Sequence, residues 1–85
     1  MTVSELTMYS TTWCGYCKRL KTALKAKRIG YTEVDIELDP DAAKFVQSVN
    51  NGNQTVPTVK FADGSTMTNP SIKDVEGKIA ELTVG

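Results

Sequence analysis

The two cysteines of the chain, Cys14 and Cys17, stand three positions apart, where a short apolar strand pattern gives way to a helical one. A helix that begins at Cys14 or Gly15 places Cys14 at its N-terminus and Cys17 one turn further, on a face that can approach Cys14. The partial positive charge of a first helical turn, with Lys18 and Arg19 nearby, favours a thiolate over a thiol. The spacing therefore predicts an attacking thiol at Cys14 and a resolving thiol at Cys17.

Length and composition limit the classes of protein that remain. Eighty-five residues leave room for one domain, which we expect to span positions 1–85. A formal net charge of zero gives no reason to expect binding to nucleic acid or to a membrane. No apolar run approaches about 18 residues, and the segment from Met1 to Ser4 lacks the pattern of a secretory signal. We therefore expect a cytoplasmic protein, in which a close cysteine pair is more typical of catalysis or metal binding than of a structural disulfide.

Charge is segregated along the chain, and histidine is missing from it. The stretch from Lys18 to Arg28 is basic and contains no acid, and the stretch from Glu33 to Asp41 is acidic and contains no base. The simplest interpretation is a solvated helix face followed by a solvated strand face. Without histidine, the helix dipole and cations have to activate the cysteine, and mixed Cys/His zinc sites are excluded.

Apolar periodicity and turn signals predict the order β-α-β-α-β-β-α. A first helix between two strands implies a parallel, right-handed βαβ unit, and an Asp-Gly turn implies an antiparallel final pair. We expect a mixed four-stranded sheet with helices on both faces, the first strand central and the second at an edge. The predicted strands are Leu6–Ser10, Tyr31–Leu38, Thr58–Phe61 and Ser65–Thr68, and the second of them has Val34, Ile36 and Leu38 on its apolar face. The first predicted helix runs from Gly15 to Arg28, is capped by Thr11 or Thr12 and is ended by Gly30. The second begins with Asp39-Pro40 and reaches Val49, and the last begins with Asn69-Pro70.

A cysteine pair that opens a helix after the first strand, with Val56-Pro57 before the third, resembles the glutaredoxin family over nearly the whole chain. The resemblance implies an α/β, thioredoxin-like fold with a four-stranded mixed sheet and three flanking helices. It also implies a cis Val56-Pro57 bond beside the cysteines. The backbone N–H and C=O of Val56 would then face an incoming thiol conjugate as one edge of a sheet.

Several positions depart from the usual pattern of that family. Gly15 replaces a proline between the cysteines, and Thr11 replaces a lysine that pairs with a glutathione carboxylate. The stretch from Thr66 to Ser71 lacks the Gly-Gly pair and acid that bind the other end of glutathione. The motifs Trp13–Cys17, Asn53–Ser65 and Thr68–Pro70 instead resemble family members from bacteria that use mycothiol, an acetylated cysteine on a glucosaminyl-inositol without carboxylates.

This closer resemblance implies reduction of protein–mycothiol mixed disulfides by a monothiol route through Cys14, with closure of a disulfide to Cys17 as a side reaction. Mycothiol would be the co-substrate, with no bound cofactor or metal. The partners would be mycothiolated proteins and, indirectly, a flavoprotein mycothiol disulfide reductase, and we expect a monomer. The substrate contacts would be Thr12, Tyr16, Gln54, Val56, Pro57, Thr68 and Asn69.

Three other functions stay open at this point. A dithiol electron donor would use both Cys14 and Cys17, although redoxins of that kind usually carry a Trp-Ser-Gly-Phe stretch that this chain lacks. An iron–sulfur or zinc module would need a dimer or external thiols, because two cysteines supply half of a four-sulfur site. A silent interaction domain would leave Cys17 as a small core residue and Trp13 as a packing aromatic.

Overall fold

A computed structural model describes residues 6–83 of the chain. The helices and strands follow the predicted β-α-β-α-β-β-α order. No helix in the described part is long and apolar enough to cross a membrane. The segment from Met1 to Ser4, on which the prediction of no secretory signal depended, lies outside the described residues. The elements are β1 (Thr7–Ser10), α1 (Gly15–Ala26), β2 (Thr32–Asp35), α2 (Pro40–Val49), β3 (Thr58–Lys60), β4 (Thr66–Thr68) and α3 (Ile72–Thr83).

The four strands form one mixed sheet in the order β2-β1-β3-β4. Strand β1 pairs in parallel with β2, so that Ser10 lies opposite Asp35. It pairs antiparallel with β3 on its other side, and β3 pairs antiparallel with β4. This arrangement confirms the predicted central position of β1 and the edge position of β2. Because β1 is central, the segment that follows it, which carries the cysteines, leaves the middle of one end of the sheet.

Apolar side chains cover both faces of the sheet because successive residues of β1 point to opposite sides. Met8 faces α1 and α3, where it joins a cluster that includes both cysteines. Tyr9 faces α2, where it packs with Ile36 and Val46, and its ring lies 5.2 Å from that of Phe45. The first cluster consists of Leu6, Met8, Cys14, Cys17, Leu20, Leu24, Val59, Phe61 and Val75.

Helix α2 begins as predicted, whereas α1 ends differently. The Asp39 carboxylate caps α2 by accepting from the N–H groups of Asp41 and Ala42. The prediction that Gly30 ends α1 is wrong, because Arg28 takes the left-handed conformation with φ 57°. The Ile29 N–H donates to the Leu24 carbonyl at 2.9 Å, and Ile29 packs against the core. Packing of the half-buried Ile29 therefore fixes the turn before the chain reaches the glycine.

The prediction that Asn69-Pro70 opens α3 is also wrong. The Ser71 hydroxyl accepts from the Asp74 N–H at 3.1 Å, and the Asp74 carboxylate accepts from the Ser71 N–H at 3.2 Å. This reciprocal pair is a capping box, so the helix starts at Ile72. Asn69 is held elsewhere, with φ 47° and its N–H donating to the Pro57 carbonyl at 2.7 Å.

Strand β2 is shorter than its alternating pattern predicts. The Asp35 carboxylate accepts from the Glu37 N–H at 2.8 Å, and the Asp35 carbonyl accepts from the Leu38 N–H at 3.1 Å. These bonds turn the chain just after the strand. Leu38 is consequently 83% exposed and does not share the apolar face of Val34 and Ile36, which corrects the predicted alternation.

Candidate active site

Cys14 itself caps helix α1, so the prediction of a threonine cap is wrong. Its backbone is extended, and its Sγ accepts a hydrogen bond from the Cys17 N–H at 3.1 Å. A cap residue immediately precedes the helix and receives N–H groups from the first turn. Thr11 and Thr12 lie too far upstream for that role. The arrangement places a sulfur where one backbone donor and the helix dipole both stabilise negative charge.

The two sulfurs occupy different environments. Both cysteines are free thiols; Cys14 is 4% exposed and Cys17 is completely buried. Burial, and then the hydrogen bond with Cys14, raises the pKa of the Cys17 thiol to about 12. Cys17 therefore keeps its proton at neutral pH and is not a nucleophile there.

The Val56-Pro57 peptide bond is cis and lies beside Cys14, as the family resemblance implies. The Cys14 Sγ is 3.8 Å from the Val56 carbonyl oxygen. The Val56 N–H donates to no group of the described residues. The Pro57 carbonyl, in contrast, accepts a hydrogen bond from the Asn69 N–H. Val56 therefore offers a carbonyl acceptor beside the sulfur and a backbone donor that no described residue uses.

A groove of about 390 Å³ lies between α1 and the loop that leads into α3. The fold brings Tyr16 and Asn69 together in this groove. Tyr16 is 59% exposed, and the Arg19 guanidinium carbon lies 5.8 Å from the centroid of its ring. Arg19 and Ser71 also line the groove, although neither was predicted from the sequence to do so. For Arg19 a signal existed, because it follows Tyr16 by three positions on the same helix face. The groove is lined by Tyr16, Arg19, Leu20, Ala23, Asn69, Pro70, Ser71 and Ile72.

The other three side chains predicted to contact substrate lie outside this groove. The Thr68 hydroxyl donates to Asn50 Oδ1 at 2.6 Å, which ties β4 to the end of α2. Gln54 is exposed in the loop before Val56. Thr12 lines a second groove of about 410 Å³ together with Ser10, Lys21, Glu33 and Asp35.

Trp13 lies beside Cys14 and is 69% exposed. Its indole N–H donates to Glu37 Oε2 at 3.0 Å, across a separation of 24 positions in the chain. This pairing was not predicted from the sequence, because only the placement of the β2–α2 turn brings the two residues together. No group of three or more histidine, cysteine, aspartate or glutamate side chains within residues 6–83 is arranged to hold a metal ion.

Comparison with known sequences identifies relatives over nearly the whole chain. The family model described as Glutaredoxin matches residues 6–65. Mycoredoxin 1 of Corynebacterium glutamicum is 41% identical over 80 residues, covering 94% of this chain and 99% of that protein. The Mycobacterium tuberculosis (strain H37Rv) protein named "Putative glutaredoxin Rv3198A" is 63% identical over 82 residues, covering 96% of this chain and 98% of that one.

Solved structures agree with these sequence matches. A thioredoxin-like protein aligns with a TM-score of 0.71 at 24% identity, over 85% of this chain and 96% of its own, which supports the fold. A buckwheat glutaredoxin solved with glutathione aligns with a TM-score of 0.66 at 28% identity, over 92% of this chain and 74% of its own. The fold, the family match and these relatives agree: the chain belongs to the glutaredoxin family and is a thiol–disulfide oxidoreductase.

Proposed function

We propose that this protein reduces mixed disulfides between proteins and mycothiol, with Cys14 as the nucleophile and mycothiol as the co-substrate. The observation that carries the proposal is the position of the Cys14 sulfur. It caps α1, accepts the Cys17 N–H at 3.1 Å and lies 3.8 Å from the Val56 carbonyl. A mixed disulfide seated there meets a sulfur nucleophile, and its amides can pair with the backbone of Val56.

The groove supports mycothiol over glutathione because its chemistry is mostly neutral. Of the residues that line it, only Arg19 is charged, whereas Tyr16, Asn69 and Ser71 offer uncharged donors and acceptors. Thr11, which replaces the family lysine, is buried and supplies no cation. A tripeptide with two carboxylates would therefore lack a matched pair of cations, whereas a sugar conjugate needs hydroxyl partners. The similarity to Mycoredoxin 1 over nearly the full length of both chains supports the same choice.

The reaction proceeds in two exchanges of sulfur bonds. The Cys14 thiolate attacks the sulfur of the mycothiol half, forms a Cys14–mycothiol disulfide and expels the protein sulfur, which takes up a proton. A second mycothiol thiolate then attacks the mycothiol sulfur of that disulfide. The products are mycothiol disulfide and the regenerated Cys14 thiolate. Each step exchanges one disulfide for another, so no electron is left over and no bound cofactor takes part.

Cys17 has two roles in this scheme, and only one of these roles requires its sulfur atom. Its backbone N–H stabilises the Cys14 thiolate in the monothiol route. Its thiol, buried and protonated at neutral pH, attacks only when it closes a disulfide with Cys14. That closure is the side reaction of the monothiol scheme and the required step of a dithiol donor.

The same proposal includes the location, the partners and the substrate contacts of the protein. The protein acts as a cytoplasmic monomer on mycothiolated proteins. A separate flavoprotein reductase returns mycothiol disulfide to mycothiol. The groove side chains Tyr16 and Asn69 bind the sugar part, and Val56 and Pro57 position the cysteine part. Thr12, Gln54 and Thr68 lie outside the groove, and we assign them to the outer parts of the substrate.

The test is the rate at which a protein–mycothiol mixed disulfide is reduced by wild-type protein, Cys17→Ser and Cys14→Ser, with mycothiol or glutathione as the reducing thiol. We expect Cys17→Ser to keep at least about half of the wild-type rate, because the variant keeps the backbone donor. We expect Cys14→Ser to be inactive and mycothiol to be preferred by about tenfold or more, the effect of about 1.4 kcal/mol.

Two outcomes would overturn the proposal, and they point in different directions. Equal rates with glutathione would remove the thiol specificity. Loss of activity in Cys17→Ser would replace the monothiol route with a dithiol donor that uses both cysteines. Circular dichroism of both variants, compared with wild type, separates these outcomes from misfolding.

A further inference from the structure

Two large exposed apolar side chains are linked by one hydrogen bond near Cys14: Trp13 precedes Cys14 in the chain, and Leu38 follows Glu37, the partner of Trp13. Trp13 is 69% exposed and Leu38 is 83% exposed. Glu37, which precedes Leu38, holds the Trp13 indole through the 3.0 Å hydrogen bond. We call these three residues the tryptophan surface. A tryptophan that is exposed and yet fixed in orientation is typical of a residue that anchors a partner protein.

The tryptophan surface and the groove involve segments that follow opposite edges of the sheet. The groove is formed by α1 with the loop after β4, and Glu37 and Leu38 follow β2. Strands β2 and β4 are the two opposite edges of the sheet. One edge therefore offers a concave groove for a small conjugate, and the other offers an exposed apolar surface. A mixed disulfide also has two unlike halves, a small thiol and a polypeptide. The groove suits the small thiol, and the exposed apolar surface suits the polypeptide.

The segment that follows β2 is acidic. The nearby cation, Lys21, shares the second groove with Asp35 but is paired with Glu33 at 3.0 Å. Four carboxylates follow one another at alternate positions from Asp35 to Asp41. Within residues 6–83, none of the four is in an ion pair with a lysine or arginine. Their hydrogen bonds leave the negative charge in place, since Glu37 binds a neutral indole and Asp39 caps α2. The four are Asp35, Glu37, Asp39 and Asp41.

We propose that the tryptophan surface receives the polypeptide half of the mixed disulfide and favours segments with lysine or arginine beside the modified cysteine. Trp13 and Leu38 contact apolar parts of that segment, including the stems of its basic side chains. The unpaired carboxylates attract the cationic ends and repel acidic segments. This inference uses Cys14 as the attacking sulfur, as the proposed function does, but it does not depend on which small thiol forms the other half.

The test uses two peptides that differ only in the residues flanking their single cysteine, lysine in one and glutamate in the other. Each peptide is prepared as a mixed disulfide with mycothiol and, separately, with glutathione. The measurement is kcat/KM for release of the peptide thiol by wild-type protein, Glu37→Gln and Glu81→Gln. Glu81 is the matched control because it is an exposed glutamate towards the end of α3, away from the groove at the start of that helix.

We expect wild-type protein to favour the lysine peptide by about three- to fivefold at low ionic strength, the effect of one exposed charge interaction of up to about 1 kcal/mol. The preference should shrink in about 0.5 M salt, where such interactions are screened. Glu37→Gln should lower the ratio between the peptides towards one, and Glu81→Gln should leave it unchanged.

Three results would overturn the proposal. They are equal rates for the two peptides with wild-type protein, a ratio that Glu37→Gln does not change, and a concentration-dependent dimer in sedimentation that Leu38→Ser abolishes. The dimer would assign the surface to a second copy of the chain. The preference for mycothiol over glutathione is measured separately, by comparing the two conjugates of the same peptide. If that preference is absent, the ratio between the lysine and glutamate peptides still tests the tryptophan surface.

Discussion

The backbone N–H of Cys17 donates a hydrogen bond to the sulfur of Cys14 at 3.1 Å. The contact belongs to the main chain of Cys17, and a substitution of the Cys17 side chain need not remove it. The sulfur of Cys17 is buried and keeps its proton at neutral pH. This separation of backbone and side-chain roles can be tested with substitutions at one position.

The first prediction compares Cys17→Pro with Cys17→Ser. Proline removes the N–H and is tolerated in the first turn of a helix, whereas serine keeps the N–H. A hydrogen bond to a charged group contributes about 1.5–3 kcal/mol, so alkylation of Cys14 by iodoacetamide at mildly acidic pH should be about 10- to 100-fold slower in Cys17→Pro. Equal alkylation rates in two variants with the same far-ultraviolet circular dichroism would contradict the assigned role of the N–H.

The second prediction concerns stability at alkaline pH. Burial raises the pKa of Cys17 to about 12 in the folded protein, whereas an unfolded cysteine titrates near about 8.5. Between these values the unfolded chain binds fewer protons, so the stabilisation from the protonated thiol is full below about pH 8.5 and declines above it. The measurement is urea unfolding under reducing conditions between about pH 8 and 10.5. The free energy of unfolding of wild type should fall towards that of Cys17→Ser by up to about 1.4 kcal/mol per pH unit. Parallel curves would show that Cys17 does not cause the decline.

The third prediction is that Thr11→Val stabilises the protein. Thr11 is 5% exposed, and its hydroxyl has no hydrogen-bond partner among the described residues. Valine has nearly the same shape and removes this unpaired polar atom, so the free energy of unfolding should rise by about 1 kcal/mol. Thr58→Val is the matched control, and it should lower the free energy of unfolding. The Thr58 hydroxyl is fully buried, donates to the Thr55 carbonyl and accepts from the Asn50 side chain. Denaturant titration of both variants gives the comparison, and destabilisation by Thr11→Val would refute the prediction.

The fourth prediction concerns stability at acidic pH. The hydroxyl and N–H of Ser65, followed by Lys78, hold the pKa of Asp63 at about 2. An unfolded aspartate titrates near about 3.9, so this stabilisation is present above that pH and is lost as the pH falls towards about 2. Asp63→Asn should therefore be less stable than wild type near neutral pH, and the difference should narrow between about pH 4 and 2. Thermal unfolding across this range measures it, and a difference that does not change with pH would count against the ionised carboxylate as its cause.

Local patterns in the sequence predicted most of the fold. The order of the elements, the central β1, the edge β2 and the Asp39 cap of α2 are confirmed. These features depend on periodicity over a few residues and on short turn signals, which need no knowledge of distant contacts. The helix boundaries were less predictable, because core contacts and competing bonds decided them. Packing of Ile29 against the core ended α1 before Gly30. The bond to Pro57 held Asn69 elsewhere, and Ser71 caps α3 in its place.

The sequence by itself determined which atoms are available for chemistry. Its two cysteines stand one helical turn apart after the first strand, and it contains no histidine. The tertiary structure decided what surrounds them. It made Cys14 the cap of α1, paired Trp13 with Glu37, and placed Tyr16 beside Asn69 in one groove. The last two features bring together residues far apart in the chain, and they depend on how the edges of the sheet pack against the helices, which local propensity does not encode.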